Sequence, residues 1–407
     1  MSVLQFDCKP LQVLIQPDRT NTALGCQMRG VTMNMIMLFD SHPFAKMLLC
    51  KHFQPQKVWI LHTDTDVIEE YKTDFKKWMI RRKIDVRVIE IDETNPESIE
   101  RILRDLLGSF GSSESIIDIT GANPVMCYAA ANAIQDFPSQ LVCLDDDTHD
   151  LITMPDGLHH SMDIRLTVPD CMDSTGREIV ESLCPDPERP SCYWDLAEYM
   201  ATNHESISRL LQDFARAYQQ NARHPIHIMR RLSRSEGRLI TELARLGWIE
   251  PPVQVTNGYS LILNPNSQIR HFLTGAWLEL FVLFISDRFK PDDLRMGLKL
   301  RWDRDDPECS THEIDLAYTI HNRLYVIECK AGVQLSRNNN LLAHHINRLA
   351  TMRSYFGDSF CEVVLILAEK LAMNRVAWKR AEELGIHLLD QRHLANLEQH
   401  LAPFIRS

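Results

Sequence analysis

The sequence predicts an α/β protein with a Rossmann-like domain, a winged-helix-like connector and a second α/β domain. Three observations support this fold class. Short apolar strands alternate with amphipathic helices across residues 33–168, which is the pattern of parallel βαβ units. A second alternating region covers residues 267–407, and a segment rich in proline and acidic residues precedes it. The chain of 407 residues is also too long for a single core.

The first domain begins after an N-terminal appendage, residues 1–32, which shows no clear hydrophobic period. The predicted strands of residues 33–168 are Met35–Phe39, Lys57–His62, Val86–Ile91, Ser115–Ile119, Leu141–Leu144 and Leu151–Met154, and the predicted helices are Pro43–His52, Thr65–Arg82, Asn95–Leu107 and Pro124–Gln135. The acidic turn Asp145–Asp150 lacks the later glycine and glutamate of a calcium loop, so we expect a solvated hairpin turn.

Residues 169–266 combine a linker with a connector. The linker, Pro169–Pro190, contains the best candidate for a domain boundary. Helices are predicted over Asp195–Asn221 and Ser233–Leu246, and a wing-like hairpin is predicted around Asn257–Gly258. Four arginines fit contact with nucleic acid and packing between domains equally well: Arg230, Arg231, Arg234 and Arg238.

The last domain, residues 267–407, is predicted to be an α/β core of four to five strands. Its predicted elements are the helix Ser267–Phe284, the strand Gly297–Trp302, the hairpin Thr311–Lys330, the helix Asn338–Tyr355, the strand Val363–Leu367, the helix Asn374–Leu384 and the strand Ile386–Leu389.

The net charge of −11 is unevenly distributed along the chain. Residues 1–190 contain 18 Lys and Arg against 30 Asp and Glu, a net charge of −12, whereas residues 321–407 contain 11 against 8, a net charge of +3. Binding to a phosphate backbone depends on local positive surface, so a nucleic-acid partner remains possible for the C-terminal half.

Cysteine usage and hydropathy place further bounds on the protein. The 11 cysteines include no C-x-x-C pair, which argues against a disulfide framework and a zinc ribbon. No apolar run is predicted to span a bilayer, and the N-terminus lacks the layout of a signal peptide. We therefore expect a cytoplasmic protein with no membrane partner.

The hairpin Thr311–Lys330 carries three charged residues in an apolar setting. Asp315 lies inside its first strand, and Glu328 and Lys330 end its second strand on one face. Burying two carboxylates there is costly unless a cation compensates, and a divalent metal is the usual one. The alternative is an ordinary ion pair at a strand end. A third acid, Glu279, stands alone in an apolar helix and also needs a partner, either this site or a helix-end salt bridge.

The spacing of Asp315, Glu328 and Lys330 resembles the PD-(D/E)xK, restriction-endonuclease-like nucleases, with Ile314 in place of the proline of the motif. The resemblance implies that Asp315 and Glu328, joined by Glu279, bind Mg²⁺ or Mn²⁺. It implies that Lys330 orients the attacking water. It also implies that the following helix supplies polar groups to the phosphate, with two candidates that also fit a solvated helix face: His345 and Asn347.

Loops beyond the carboxyl ends of parallel strands form the ligand sites of Rossmann-like sheets. Two such loops are candidates here: Asp40, Ser41, His42 and Pro43 after the first strand, and Thr120, Gly121, Ala122 and Asn123 after the fourth. Small and hydroxyl residues that lead into a helix offer backbone N–H groups to a phosphate. Simple helix capping predicts the same residue types, so both interpretations stay open.

The order of domains, with Asp118-Ile119-Thr120-Gly121 after the fourth strand, resembles the CARF-domain nucleases of type III CRISPR systems. The resemblance implies that a cyclic oligoadenylate, commonly the tetra-adenylate, binds across the two-fold axis of a homodimer and activates cleavage of DNA or RNA. The chain departs from the family at Pro124, where the loop often carries Lys or Arg.

Two other functions also fit the sequence. One is a restriction-like DNA endonuclease that reads DNA through the connector and needs no nucleotide. The other is a ligand-sensing regulator without enzymatic activity. The presence of Asp315, Glu328 and Lys330 together favours an enzyme, because a decayed site is expected to have lost at least one of them.

Overall fold

The computed structural model describes residues 33–38, 43–63, 66–111, 113–145, 148–183, 191–220, 225–301, 311–332, 339–356, 360–371 and 375–405. The predicted appendage, residues 1–32, and three of the predicted ligand residues lie outside this part of the chain: Asp40, Ser41 and His42.

The N-terminal domain is a seven-stranded sheet with the order β3-β2-β1-β4-β5-β6-β7. Its strands are β1 (Asn34–Leu38), β2 (Lys57–His62), β3 (Asp85–Glu90), β4 (Ser115–Asp118), β5 (Ser139–Leu144), β6 (Leu151–Met154) and β7 (Leu158–His160), and its helices are α1 (Pro43–Phe53), α2 (Asp66–Arg81), α3 (Pro96–Phe110) and α4 (Pro124–Ala133). The first five strands are parallel, as predicted. The strand order reverses between β1 and β4, so the carboxyl ends of these two strands lie side by side.

A buried ion pair lies at this reversal point. Lys46 of α1 and Asp118 at the end of β4 both have side chains with 0% exposure, and 2.7 Å separates Nζ from Oδ2. Lys46 Nζ also donates to the carbonyl oxygens of Leu38 (2.9 Å) and Thr120 (2.7 Å). One ammonium group therefore ties the ends of β1 and β4 together, directly beside the predicted ligand loop.

The described residues in the middle of the chain form four helices, the strand β8 and a small antiparallel sheet of order β10-β11-β9. Its elements are α5 (Val168–Ser174), β8 (Glu178–Leu183), α6 (Ser191–Thr202), α7 (His204–Gln219), β9 (Ile226–Ile228), α8 (Arg234–Arg245), β10 (Val253–Val255) and β11 (Gly258–Leu261). Arg230 binds Glu236 at 2.6 Å, and Arg238 lies over the ring of Tyr199. These two arginines serve packing within the connector. The winged-helix assignment stays a prediction.

The C-terminal domain is a six-stranded sheet with the order β16-β15-β14-β13-β12-β8. Its elements are α9 (Ser267–His271), a π-helical turn (Phe272–Ala276), α10 (Trp277–Asp287), β12 (Asp293–Arg301), β13 (Thr311–Ile320), β14 (Arg323–Lys330), α11 (Asn339–Tyr355), β15 (Cys361–Leu367), α12 (Arg375–Glu383), β16 (Ile386–Leu389), α13 (Gln391–Leu394) and α14 (Leu397–Leu401). Strands β14, β15 and β16 are parallel, and β12, β13 and β14 are antiparallel. Strand β8, from the predicted linker, pairs with β12 and adds a strand that the sequence did not predict.

The sequence analysis expects no apolar run that could span a bilayer, but one helical segment has the length and composition to do so. Ser267–Asp287 is long and apolar enough by length and composition, with a mean hydropathy of 1.4. Within the fold, however, 61% of its most apolar stretch is buried, and α10 packs against α6 and the central strands of the sheet. A core helix therefore accounts for its composition.

The two large domains share one hydrophobic core. Phe44 of α1 lies against Phe356 and Phe360 of the C-terminal domain, with ring centroids 6.4 and 6.0 Å apart, and all three residues are fully or almost fully buried. The guanidinium of Arg177 lies 4.3 Å from the ring centroid of Tyr355. The contact between the domains is therefore a packed interface.

Replacing Lys46 by Met should lower the free energy of unfolding by about 3–5 kcal/mol, because it leaves the Asp118 carboxylate buried without its cation. The midpoint of urea denaturation would measure this. The double variant Lys46→Met/Asp118→Asn should recover part of the loss, and Lys57→Met, at an exposed position of β2, should change little. A Lys46→Met protein as stable as the wild type would show that the pair contributes nothing.

Candidate active site

The hairpin of β13 and β14 brings its three charged residues to one place. The two antiparallel strands pair with Leu316 opposite Ile327. Asp315 and Glu328 are the next residues along the two strands and therefore lie opposite each other. Both carboxyl groups are buried, with residue exposures of 8% and 3%. The alternation along β14 places Lys330 on the same face as Glu328. The expected grouping of Asp315, Glu328 and Lys330 is present.

Lys330 bridges the two carboxylates. Its Nζ lies 2.6 Å from Glu328 Oε1 and 3.3 Å from Asp315 Oδ2, and the backbone N–H of Cys329 donates to Asp315 Oδ2 at 2.7 Å. Burial raises the pKa of Asp315, and repulsion by Glu328 adds to this. Burial acts to lower the pKa of Lys330, but the attraction of Asp315 and Glu328 outweighs it and raises this pKa. Lys330 therefore stays protonated at neutral pH.

Helix α11 adds a second cation that sequence reasoning missed. Arg348 donates from Nη2 to Glu328 Oε1, so Glu328 is held by both Lys330 and Arg348. His345, one turn earlier on the helix, has Nδ1 3.9 Å from the same oxygen. Burial, with Lys330 and Arg348 nearby, lowers the pKa of His345 to about 4, so its ring is neutral at neutral pH. The i, i+3 spacing from His345 was the available signal for Arg348.

Asn347, the other predicted phosphate contact on α11, serves a different purpose. Its side-chain oxygen accepts hydrogen bonds from Arg380 Nε (3.0 Å) and Nη2 (2.8 Å) of α12. The residue therefore joins two helices, while His345 faces the carboxylates.

Glu279 enters the same electrostatic environment from the first turn of α10. Burial raises its pKa to about 7, and repulsion by Asp315 is the next largest cause. Asp315, Lys330 and Glu328 thus all act on the Glu279 carboxyl group. The excess of acidic groups is the donor chemistry that a divalent ion requires. Within the part of the chain that the structure describes, no three acidic, His or Cys side chains form a ready metal cluster. Glu328 is held by the two cations Lys330 and Arg348.

The predicted ligand loop after β4 is well ordered by its own hydrogen bonds. Thr120 N donates to Asp118 Oδ1 (2.8 Å), and Thr120 Oγ1 accepts from Leu144 N (3.0 Å). Asn123 Oδ1 accepts from Met126 N at 2.9 Å, so the capping geometry is present at the start of α4. Gly121 has a φ of 73°, in the left-handed region that favours glycine.

The backbone is what this loop offers to a ligand. The side chains of Thr120 and Asn123 are used internally, and Pro43, the described residue of the other loop, is the buried first residue of α1. The N-terminus of α4, a helix of ten residues, opens at the same loop. An anion is therefore the ligand chemistry that the loop favours.

These features define a class of protein. A Rossmann-like domain with a phosphate-compatible loop at its switch point is packed onto a mixed sheet whose two central strands carry the acidic and basic residues. Fold and site thus define a two-domain α/β protein whose C-terminal domain carries the candidate active site.

Comparisons with known proteins agree with this class. Residues 266–407 match the model of a family described as Card1-like, endonuclease domain. The fold is similar to protein VC1899 from Vibrio cholerae, with a TM-score of 0.71 and 17% identity over 92% of this chain and 98% of that chain. It is also similar to Can2 from Sulfobacillus thermosulfidooxidans, solved in complex with cyclic tetra-adenylate, with a TM-score of 0.69 and 17% identity over 92% and 100%.

A type III CRISPR defence DNA nuclease activated by cyclic oligoadenylate shares 14% identity over 91% of this chain and 51% of that chain, but its TM-score of 0.49 is too low to support an argument. Comparison with curated proteins gives no match. The family match confirms the predicted nuclease domain, and the two similar structures share the fold of the chain over 92% of its length.

The raised pKa of Glu279 predicts a pH-dependent stability without divalent metal. A carboxyl group with a folded pKa of about 7 and an ordinary value of 4.5 binds more protons when folded, so the stability it contributes is lost as pH rises through this window. In EDTA, Glu279→Gln should gain stability over the wild type between about pH 5 and about pH 8, by at most about 3 kcal/mol. Thermal denaturation at both pH values would measure the gain. Exposed Glu205→Gln is the control, and a pH-independent difference for Glu279→Gln would contradict the assignment.

Proposed function

We propose that this protein is a metal-dependent nuclease that a cyclic oligoadenylate activates in type III CRISPR antiviral defence. The observation that carries the proposal is the buried group of Asp315, Glu328 and Lys330, inside a domain that matches Card1-like endonuclease domains. The similar fold of Can2, solved with cyclic tetra-adenylate, supports this ring as the activator.

The acidic residues are proposed to hold the metal. Glu279, Asp315 and Glu328 would bind one or two Mg²⁺ or Mn²⁺ ions, which would supply charge for the phosphate and lower the pKa of water. Lys330 and Arg348 both hold Oε1 of Glu328, so metal binding at this oxygen would require them to release it. The raised pKa values of Glu279 and Asp315 reflect the repulsion and burial that a bound cation would relieve.

The released cations are proposed to act on the substrate. Lys330 carries a positive charge at neutral pH and stands between two carboxylates, so it can orient a water molecule and offset the charge that develops on the phosphate. Arg348 has a planar guanidinium that can turn from Glu328 to a phosphate oxygen, which it recognises by the same paired geometry. His345 is neutral and adds no charge there.

The sensor is proposed to work as a cytoplasmic homodimer. A cyclic oligoadenylate has internal rotational symmetry, and a two-fold axis would present it with two copies of the loop Thr120–Asn123. The backbone N–H groups of Gly121 and Asn123 find no acceptor in the part of the chain that the structure describes, which leaves them available to phosphates. The connector, proposed to be winged-helix-like, would then hold the nuclease domain beside the nucleic acid.

Removal of either charged group of β14 should abolish cleavage. Glu328→Gln loses a metal ligand and Lys330→Ala loses the cation that offsets transition-state charge, so each should lower the activated rate by at least about a hundredfold. The measurement is cleavage of supercoiled DNA and of single-stranded RNA with Mn²⁺. Unchanged binding of cyclic tetra-adenylate would show that the fold is intact, and Lys379→Ala, at an exposed site of α12, is the matched control. Full activity of either variant would overturn the assignment.

Activation should depend on both the ring and the metal. The wild-type protein is expected to cut its substrate far faster with cyclic tetra-adenylate than without it, and EDTA should remove the activity. Rings of other sizes test the choice of activator. Light scattering on the same samples should show a dimer of 47.1 kDa subunits. Equal rates with and without every ring, with sequence-dependent cuts in DNA, would instead support the ungated restriction-like enzyme.

A further inference from the structure

We infer that His149, in the turn between β5 and β6, is a positioning residue that carries the state of the ligand loop to the catalytic hairpin. The inference rests on the proposed function and names the regulation of the same active site. From the sequence, this acidic turn is expected to be a solvated hairpin turn. The structure corrects that expectation at His149, which is 4% exposed.

The side chain of His149 crosses from the sensor into the nuclease domain. Its ring stacks on Phe360, with centroids 4.3 Å apart and planes 9° apart. Its Nδ1 lies 3.2 Å from the carbonyl oxygen of His321. Because a carbonyl oxygen only accepts, Nδ1 carries the proton and donates. One sensor residue thus contacts the start of β15 and the turn that joins β13 to β14.

The turn is held from a second side by the sensor domain. His321 and Asn322 form it with φ values of 49° and 63°, the conformation of a tight two-residue hairpin turn. The side-chain oxygen of Asn322 accepts a hydrogen bond from Leu166 N at 2.9 Å, and Asn322 is buried. The sensor therefore determines where this turn sits.

The turn and the active site are opposite ends of one stiff element. Asp315 on β13 and Glu328 on β14 each lie six residues from the turn, about 20 Å along the strands. Both strands are buried over this length and paired with neighbours on their outer sides. A shift at His321 and Asn322 cannot be absorbed by loose backbone. It reaches the carboxylates as a shift or tilt of the whole hairpin.

The proposed path from the ligand loop, Thr120–Asn123, to the catalytic hairpin starts at Thr120. Thr120 Oγ1 accepts a hydrogen bond from Leu144 N, the last residue of β5. The next residue, Asp145, accepts from His149 N at 2.9 Å. Only this short turn separates the loop from the His149 ring. Phe44, at the start of α1, also contacts Phe360, the residue on which the His149 ring stacks. The ring centroids of Phe44 and Phe360 are 6.0 Å apart.

These contacts allow two states of Glu328 at the active site, one paired with Arg348 and one separated from it. Glu328 is held by Lys330 of the hairpin and by Arg348 of α11, whose end lies near Phe356 and Phe44. Movement of the hairpin relative to α11 changes the distance between Glu328 and Arg348. In the structure Arg348 is paired with Glu328, and displacement of the turn would separate them and release the Glu328 carboxylate.

The test uses two substitutions in the full-length protein that suit positive φ. His149→Asn removes the stacked ring and tolerates the left-handed backbone at φ 55°, and Asn322→Gly removes the acceptor for Leu166 while keeping the turn. Each should bind cyclic tetra-adenylate within about threefold of wild type, yet lose at least about tenfold in the ratio of activated to basal cleavage. His159→Asn, on the exposed strand β7, is the matched control and should retain the wild-type ratio.

A purely structural role predicts a different outcome: a lower melting temperature and basal rate with an unchanged activation ratio. An unchanged ratio in both folded variants would overturn the inference while leaving the proposed function intact. A wild-type protein that no ring activates would overturn both. If the variants do not fold, hydrogen exchange on the wild type decides. Saturating cyclic tetra-adenylate must change the exchange rate of the Leu166 amide, and no change would reject the path.

Discussion

The burial of two carboxylates in one hairpin is the constraint on which the rest of the C-terminal domain depends. Asp315 and Glu328 lie in strands that are almost fully buried, where an uncompensated charge is very costly. Lys330 compensates within the hairpin, and Arg348 does so from α11. Helix α11 therefore lies against this part of the sheet. The cations of the chain itself therefore offset the buried carboxylates.

The sensor domain meets a comparable constraint and resolves it differently. Lys46 and Asp118 are fully buried beside the loop that leads to α4. Lys46 binds the Asp118 carboxylate and the carbonyl oxygens of Leu38 and Thr120, which lie at the ends of β1 and β4. The pair fixes the end of β1 relative to the end of β4 and the start of the loop that follows it.

The sequence predicted the parallel sheet, the hairpin and its three charged residues, because hydrophobic period and residue spacing are local properties. It did not predict Arg348, because apart from its i, i+3 spacing from His345 an arginine on a polar helix looks the same whether it faces water or Glu328. It also missed His149, whose acidic neighbours suggest solvent although the ring is packed on Phe360. Strand β8 was hidden in a linker rich in proline, and only pairing with β12 makes it a strand. These three depend on contacts between distant parts of the chain. The predicted roles of the site residues stay predictions.

Strand β8 has a consequence for how this protein can be divided. The family domain, residues 266–407, begins well after Glu178–Leu183, yet β8 supplies the outer strand of the nuclease sheet. A nuclease fragment cut at the family boundary would leave β12 as a bare edge, with a row of unpaired backbone groups that invites edge-to-edge aggregation. The chain before the nuclease is thus part of its sheet. A fragment that keeps this sheet intact must therefore begin before Glu178.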